Sequence, residues 1–178
     1  MIYKFTLISD EVDQFRREIQ IDPDHNFLDL HKAIFKSMGY EPIETASFFI
    51  CDDDWEHKTE ISMFETDDNP EEDSWLMDET PLSEFIEDEG QRLTHRFDSK
   101  DERYFFIELT EIILGKDIPA AKCTLKAGNP PAQFIIEEEV IAPKVNTTNT
   151  EEEVDESFYG DQEFDDLEIE GFENIDKL

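Results

Sequence analysis

The residues of this sequence that could do chemistry are its histidines, its arginines and its many carboxylates, and few of them are spaced for it. His31 stands beside the apolar face of a predicted helix, four residues after Phe27. A histidine at that place reads as a core-edge residue hydrogen-bonded to a sheet. Arg17 shares a strand face with Phe15 and Ile19, so it is predicted to be partly buried. Its charge would be met by a carboxylate in a structural ion pair, or else by a bound anion. The run Asp52-Asp53-Asp54-Trp55-Glu56-His57 looks at first like a set of metal ligands. It lacks the glycine that a calcium loop needs at its sharp turn. His57 has no second histidine at the helical spacing of a zinc site. A solvated turn is the expectation, with a weak divalent-cation site as the alternative that its charge density leaves open; no metal and no cofactor are assigned. The sequence contains no Walker loop, no G-x-G-x-x-G and no G-x-S-x-G. Carboxylates are so plentiful that nominating any pair as acid and base carries no information.

The two cysteines, Cys51 and Cys123, are far apart and form no C-x-x-C pair. A disulfide scaffold would be denser in cysteine. Cys51 closes the apolar run Ser47-Phe48-Phe49-Ile50, which reads as a buried strand. The acidic triplet after it would raise its pKa, the wrong direction for a nucleophile. Cys123 lies between Lys122 and Lys126, which suits a thiolate better, yet nothing else marks it as reactive.

These residues need elements to position them. Tyr3, Phe5 and Leu7 alternate with polar neighbours, as do Phe15, Arg17, Ile19 and Ile21, and the two runs predict an antiparallel hairpin. Asn26 is a candidate N-cap ahead of Phe27, Leu30, Ile34 and Met38, which recur at helical spacing up to Gly39, the predicted stop. Residues 46–51 and 56–64 read as two further strands, and residues 66–79 as an acidic loop. Thr80-Pro81 opens a predicted short helix, with Pro81 at its first position and Leu82, Phe85 and Ile86 inward. Leu93, His95 and Phe97 mark another strand, and Tyr104 to Ile113 a long one. The fold class is α+β, an antiparallel-rich sheet packed against one or two helices, with an acidic C-terminal tail.

The chain has 178 residues, 48 Asp and Glu against 15 Lys and Arg, and a formal net charge of −33. That sign excludes a direct phosphate-backbone binder and an anionic membrane as partner. No run approaches the ~18 apolar residues of a membrane span. Met1-Ile2-Tyr3-Lys4-Phe5 has neither the charged nor the apolar segment of a secretion signal, so a soluble cytoplasmic protein is expected. Composition changes after Gly128-Asn129-Pro130-Pro131. Residues 1–133 read as the folded domain, long enough to bury roughly two thirds of its unfolded surface. Residues 134–178 read as a tail, with 16 acids and 2 bases. The tail sets Phe158, Tyr159, Phe164, Leu167 and Phe172 among its carboxylates. Aromatics interleaved with acids suit a segment that docks, on its own domain or on a partner, better than one that only solubilises.

Several of these segments together resemble a known family. They are Tyr3-Lys4-Phe5, Phe15-Arg16-Arg17-Glu18-Ile19, the Leu-His helix Phe27-Leu28-Asp29-Leu30-His31-Lys32-Ala33-Ile34, its end Met38-Gly39-Tyr40, and the aromatic strand Ser47-Phe48-Phe49-Ile50. In this order they resemble the plasmid pRiA4b ORF-3-like family, the mobile-element passenger family with "TnpR" in its name, of which this chain would be a divergent member. The resemblance covers residues 2–133 and is best over 3–40. Where the family has a Tyr-Asp-Phe-Gly-Asp-x-Trp block, this chain keeps Asp98 and Asp101 within His95-Arg96-Phe97-Asp98-Ser99-Lys100-Asp101. Where the family has Pro-Pro-Glu-Asp, it reads Pro130-Pro131-Ala132-Gln133, without either acid. The resemblance implies a bacterial setting and genomic company with mobile elements; it implies no recombinase chemistry. It adds a site reading for His31, and with Arg17 and Asp98 a candidate pocket.

Three functions follow as expectations. In the first, the chain is a non-catalytic interaction module whose acidic surface and tail bind a basic protein, such as one that itself binds nucleic acid. In the second, it is an enzyme or a degenerate relative of one, with Arg17, His31 and Asp98 converging. In the third, it is a structural domain with a self-docking tail. The first is favoured, because charge is the sequence's one extreme property.

Overall fold

The computed structural model describes residues 1–65 and 74–137. The described residues up to Ile135 form one compact unit, Met1–Ile135. Its strands are β1 (Ile2–Ser9), β2 (Arg16–Ile21), β3 (Ser47–Cys51), β4 (His57–Ser62), β5 (Trp75–Leu76), β6 (Arg92–Asp98), β7 (Arg103–Ile113) and β8 (Lys122–Ala127). One α-helix, α1 (Phe27–Met38), and a 3-10 turn, Leu82–Glu84, complete the described elements. All the strands lie in one sheet, in the order β5-β4-β3-β6-β7-β1-β2-β8. Every pairing is antiparallel except the short parallel contact of β5 with β4. This is an α+β fold dominated by its sheet.

Alternation decides which face each strand buries. Tyr3, Phe5 and Leu7 of β1 face inward, and their register against β2 sets Phe5 opposite Ile19 and Leu7 opposite Arg17. β7 adds Phe105, Ile107 and Leu109 to the same side, and β6 adds Leu93, His95 and Phe97. Phe27, Leu30 and Ile34 of α1 close over that face, with Leu82 and Ile86 from the 3-10 turn. Phe105 stacks on Phe97 at 4.4 Å and on Phe15 at 5.7 Å, so the core is aromatic near the β6–β7 turn.

The ends of α1 are where its sequence puts them. Asn26 accepts from the Asp29 amide at 2.9 Å, and its own amide donates to the Asp78 carbonyl at 3.0 Å. Gly39 takes a left-handed φ of 71° and returns its N–H to Lys36, the helix stop its type allows. Asn26→Ala should cost about 1–2 kcal/mol, since it removes a cap and a tie to the next loop. Asn26→Asp should cost less, because it keeps the capping acceptor. Urea unfolding of the two variants checks the order.

Two expectations are corrected, and one strand is added. Residues 80–86 do not make a helix beginning at Pro81. Pro81 is extended, with φ −68° and ψ 153°, and only the 3-10 turn follows. The reason is Gln91, whose side chain takes the amides of Glu87 and Asp88 and donates to the Phe85 carbonyl. Those groups would otherwise continue a helix. Leu82 and Ile86 still point inward, as expected. The predicted loop 66–79 contains β5, whose Trp75 pairs with Ile61. β8 was not foreseen. It is an edge strand whose residues are exposed or half-buried, so burial imprints little alternation on it, and its two lysines suit an edge that must not recruit another strand.

Candidate functional site

α1 and β6 bring two histidines together. His31 Nδ1 and His95 Nε2 lie 2.9 Å apart. His95 is fully buried, with Phe48 at 4.5 Å and Phe105 stacked beyond it. Burial pushes the His31 pKa down to about 4, and the Lys32 charge adds to the effect. Burial also pushes His95 well below its usual value, with His31 adding to it. Two neutral imidazoles therefore share one proton between the facing nitrogens. His95 Nδ1 has no partner. A buried orphan acceptor is cheaper than a buried orphan N–H. On that argument His95 carries its proton on Nε2 and donates to His31 Nδ1, which leaves the His31 proton on Nε2. A histidine held neutral far below pH 7 is a poor general base there. His31 is thus the sheet-bonded core-edge residue that its helix position suggests, and its sheet partner is a second histidine.

Arg17 is 4 % exposed on β2, and its partners correct the expected ion pair. Its guanidinium donates to the carbonyls of Arg16, Ala127 and Gly128 at 2.9–3.1 Å, reaches Ser37 at 3.4 Å, and lies over the Phe15 ring. Main-chain carbonyls at the end of β8 occupy it, and among the described residues no carboxylate does. Asp98 closes the β6–β7 turn: one oxygen accepts from the amides of Lys100 and Asp101, the other from Arg103. Arg103 also grips Glu11 through two bonds of 2.7 and 2.9 Å and the carbonyls of Ala132 and Gln133 at 2.7 and 3.1 Å. Tyr40 donates to the Pro131 carbonyl. Arg17, Tyr40 and Arg103 thus fasten residues 128–133 as a strap. Gly128 begins it with φ +71°, where a Cβ would meet the Gln14 carbonyl oxygen at 2.7 Å, so no larger residue fits.

Among the described residues no hydrogen bond or ion pair joins Arg17, His31 and Asp98 to one another; each is engaged with a separate partner. The proposed docking residues Phe158, Tyr159, Phe164, Leu167 and Phe172 lie outside the described residues. Asp52 is used by its own turn, accepting from the Asp54 and Glu56 amides, with Lys58 at 3.2 Å; the Glu56 amide above all holds its carboxyl below the usual range. Cys51 sits against Thr94, and burial pushes its thiol up, the direction its sequence suggests.

The opposite face of the sheet was not read as a site from the sequence. Both α1 and the 3-10 turn pack on the inner side. On the outer side Phe49 stacks on His57 at 4.2 Å, Tyr104 lies 5.3 Å from His57, and Trp55 meets Phe106 edge-on at 5.2 Å. Arg92 lies over Trp55 and Arg96 over Phe49, with Glu108 and Glu60 as their ion-pair partners at 3.5 Å. Burial, and then the Arg96 charge, lower the His57 pKa. Trp55 is held at φ +67°, a left-handed conformation that costs an L-residue about 1–2 kcal/mol. Bulky side chains are rarely found there. The backbone of this turn suits glycine, yet it carries an indole laid on a sheet face that no described helix covers. The signal in the sequence was the unbroken run Tyr104-Phe105-Phe106-Ile107, which puts aromatics on both faces of one strand.

A family model, plasmid pRiA4b ORF-3-like protein, matches residues 3–165. The chain belongs to that family. The match runs past residue 133 into the acidic segment, so the pRiA4b ORF-3-like pattern is not confined to the part read as a domain from composition. No curated protein matches the sequence significantly. A solved structure does: a protein of unknown function from Methanosarcina mazei Go1, with 21% identity and a TM-score of 0.54, covering 70% of this chain and 68% of that one. At that identity the likeness shows the fold alone. Among the described residues no helix is long and apolar enough to cross a membrane. In this pRiA4b ORF-3-like chain the residues nearest the family's signature blocks, Arg17, His31 and Asp98, each make the scaffold bonds given above.

Proposed function

We propose that this pRiA4b ORF-3-like protein is a non-catalytic interaction module that binds a basic protein, such as one that itself binds nucleic acid. The observation that carries the reading is Trp55, kept in a left-handed backbone so that its ring lies beside Phe106 and Arg92 on the face of the sheet that carries Tyr104 and that, among the described residues, no helix covers. Trp, Tyr and Arg are the residue types that dominate binding energy at protein interfaces. Backbone strain is a feature of functional sites, and of the three described non-glycine residues at positive φ, Gln14, Trp55 and Glu102, Trp55 is the aromatic one. The net charge of −33 supplies long-range attraction for a basic partner and speeds encounter. The engagement of His31, Arg17 and Asp98 by the scaffold argues for binding over catalysis.

Capture from a bacterial lysate with the full chain at low and high salt tests this, followed by reciprocal binding with the purified partner. Trp55→Gly relieves the backbone cost, so the thermal midpoint should stay within a few degrees of the parent's. Binding should fall at least tenfold, the scale of one hot-spot residue. A full-length variant with Phe158, Phe164 and Phe172 changed to Ser reads the share of the acidic segment. A partner that is acidic, or that binds Trp55→Gly as well as the parent and is indifferent to salt, would contradict the proposal.

A further inference from the structure

Beside α1, on the inner side of the sheet, a cleft of about 480 Å³ is lined by Leu28, Phe35, Tyr40, Ile43 and Met63, with His31 in its wall. That volume falls in the range of small-molecule sites, and so does the pattern of an apolar lining with few polar groups. Two features of the cleft lack an explanation within the scaffold. The first is the second nitrogen of His31. Nδ1 is committed to His95, while Nε2 has no hydrogen-bond partner among the described residues. Nε2 is also absent from the sealed, unpartnered atoms of the core, so the 4 % exposure of His31 opens toward the cleft it lines. By the tautomer argued above, it presents an N–H.

The second is the pair Lys32 and Lys36, which line the same cleft and are exposed. Lys4, Lys58, Arg16, Arg92, Arg96 and Arg103 all have carboxylate partners. Lys32 and Lys36 have none among the described residues; neither do Lys116, Lys122 and Lys126, but Lys32 and Lys36 are the two that line one cleft together. Lys36 gains from the C-terminal end of the helix dipole. Lys32, one turn earlier, instead repels Lys36, because like charges at this spacing destabilise a helix. An anion seated over this turn would remove that cost.

We infer that the cleft binds a small amphipathic carboxylate. Its apolar body lies against Phe35, Ile43 and Met63, and its carboxylate accepts the His31 N–H and pairs with Lys32 and Lys36. This goes beyond the protein-binding reading and uses the other side of the sheet, so either can fail without the other.

The test uses the full chain at pH 7 with the fluorescent apolar anion 8-anilinonaphthalene-1-sulfonate as probe, and decanoate and decanol as competitors. Decanoate should displace the probe at least tenfold more effectively than decanol, as expected for charge-assisted hydrogen bonds. Lys32→Gln with Lys36→Gln should weaken decanoate about tenfold and leave decanol unchanged. These two side chains are exposed, so that variant keeps its fold. Ile43→Trp should fill the cleft and exclude both. Trp55→Gly should change nothing. Equal displacement by decanol and decanoate, no displacement by either, or indifference of decanoate to the lysine variant would overturn the inference.

Discussion

Acidification from pH 7 to pH 4 will remove about 3 kcal/mol of stability through His31 alone. In the unfolded chain its pKa is the ordinary 6.5, and in the fold burial holds it at about 4. A difference of that size corresponds to roughly 1.4 kcal/mol per pH unit across the gap. Between the two values the unfolded chain binds a proton that the folded chain refuses, so stability falls as pH falls. Above pH 6.5 the imidazole is neutral in both states and contributes no slope; below pH 4 it is charged in both and the loss is complete. His95, buried deeper, adds a loss of the same sign. The carboxylates titrate over part of the same window, so the isolating comparison is His31→Gln, which can still accept the His95 N–H but cannot titrate. Urea unfolding of both proteins at half-unit steps should give profiles that diverge below pH 6.5, with the variant losing about 3 kcal/mol less by pH 4. Parallel profiles would mean that His31 is not held neutral by the fold.

Arg103→Met will cost roughly 3 kcal/mol and release the strap. The guanidinium is 8 % exposed and makes five bonds, to Glu11, Asp98, Ala132 and Gln133. Methionine fills much of the same volume against Phe97, so packing is largely kept. Two carboxylates and two carbonyls lose their donor, and breaking a buried ion pair from one side costs about 3–5 kcal/mol. The figure belongs at the low end, because Glu11 is about a third exposed and water can rescue it. Arg103→Lys should recover less than half of the loss, since an ammonium cannot serve both oxygens of Glu11 and two carbonyls at once. Denaturant unfolding reads the stability. Limited proteolysis reads the strap: cleavage within residues 128–137 should speed up in Arg103→Met well before global unfolding. A variant with parental stability and an unchanged cleavage pattern would show that Arg103 does not hold the strap.

Inward faces are legible in this sequence because burial repeats with the period of the element. The alternation of Tyr3, Phe5 and Leu7, and the spacing of Phe27, Leu30 and Ile34 between Asn26 and Gly39, each reflect a core contact that the fold makes. β8 escapes the same reading because its edge position leaves both of its faces accessible, and accessibility imposes no period. The helix expected at Pro81 fails for a tertiary reason: Gln91, ten residues on, takes the hydrogen bonds the helix would have used.

The candidate site was legible residue by residue and not as contacts. His31 and His95 were each placed on an inward face, but their meeting depends on how α1 lies across β6. Arg17 reads as partly buried and paired with a carboxylate, or else with a bound anion; the strap supplies carbonyls instead. The aromatic outer face is not legible in the sequence because alternation marks the buried side of a strand, and outward aromatics such as Phe49, Tyr104 and Phe106 read as its ordinary partners. Trp55 was set aside as part of a solvated acidic turn, while its left-handed backbone lays its ring on Phe106.

Hydroxyl-radical footprinting of the full chain, alone and with the basic protein it captures, tests the account most directly, because it reads side chains. Oxidation of Trp55, Tyr104 and Phe106 should fall several-fold in the complex, while Met63 and Tyr40 in the cleft keep their rates. Unchanged oxidation at Trp55, Tyr104 and Phe106 in a complex that forms would contradict the claim that this face of the sheet is the binding surface.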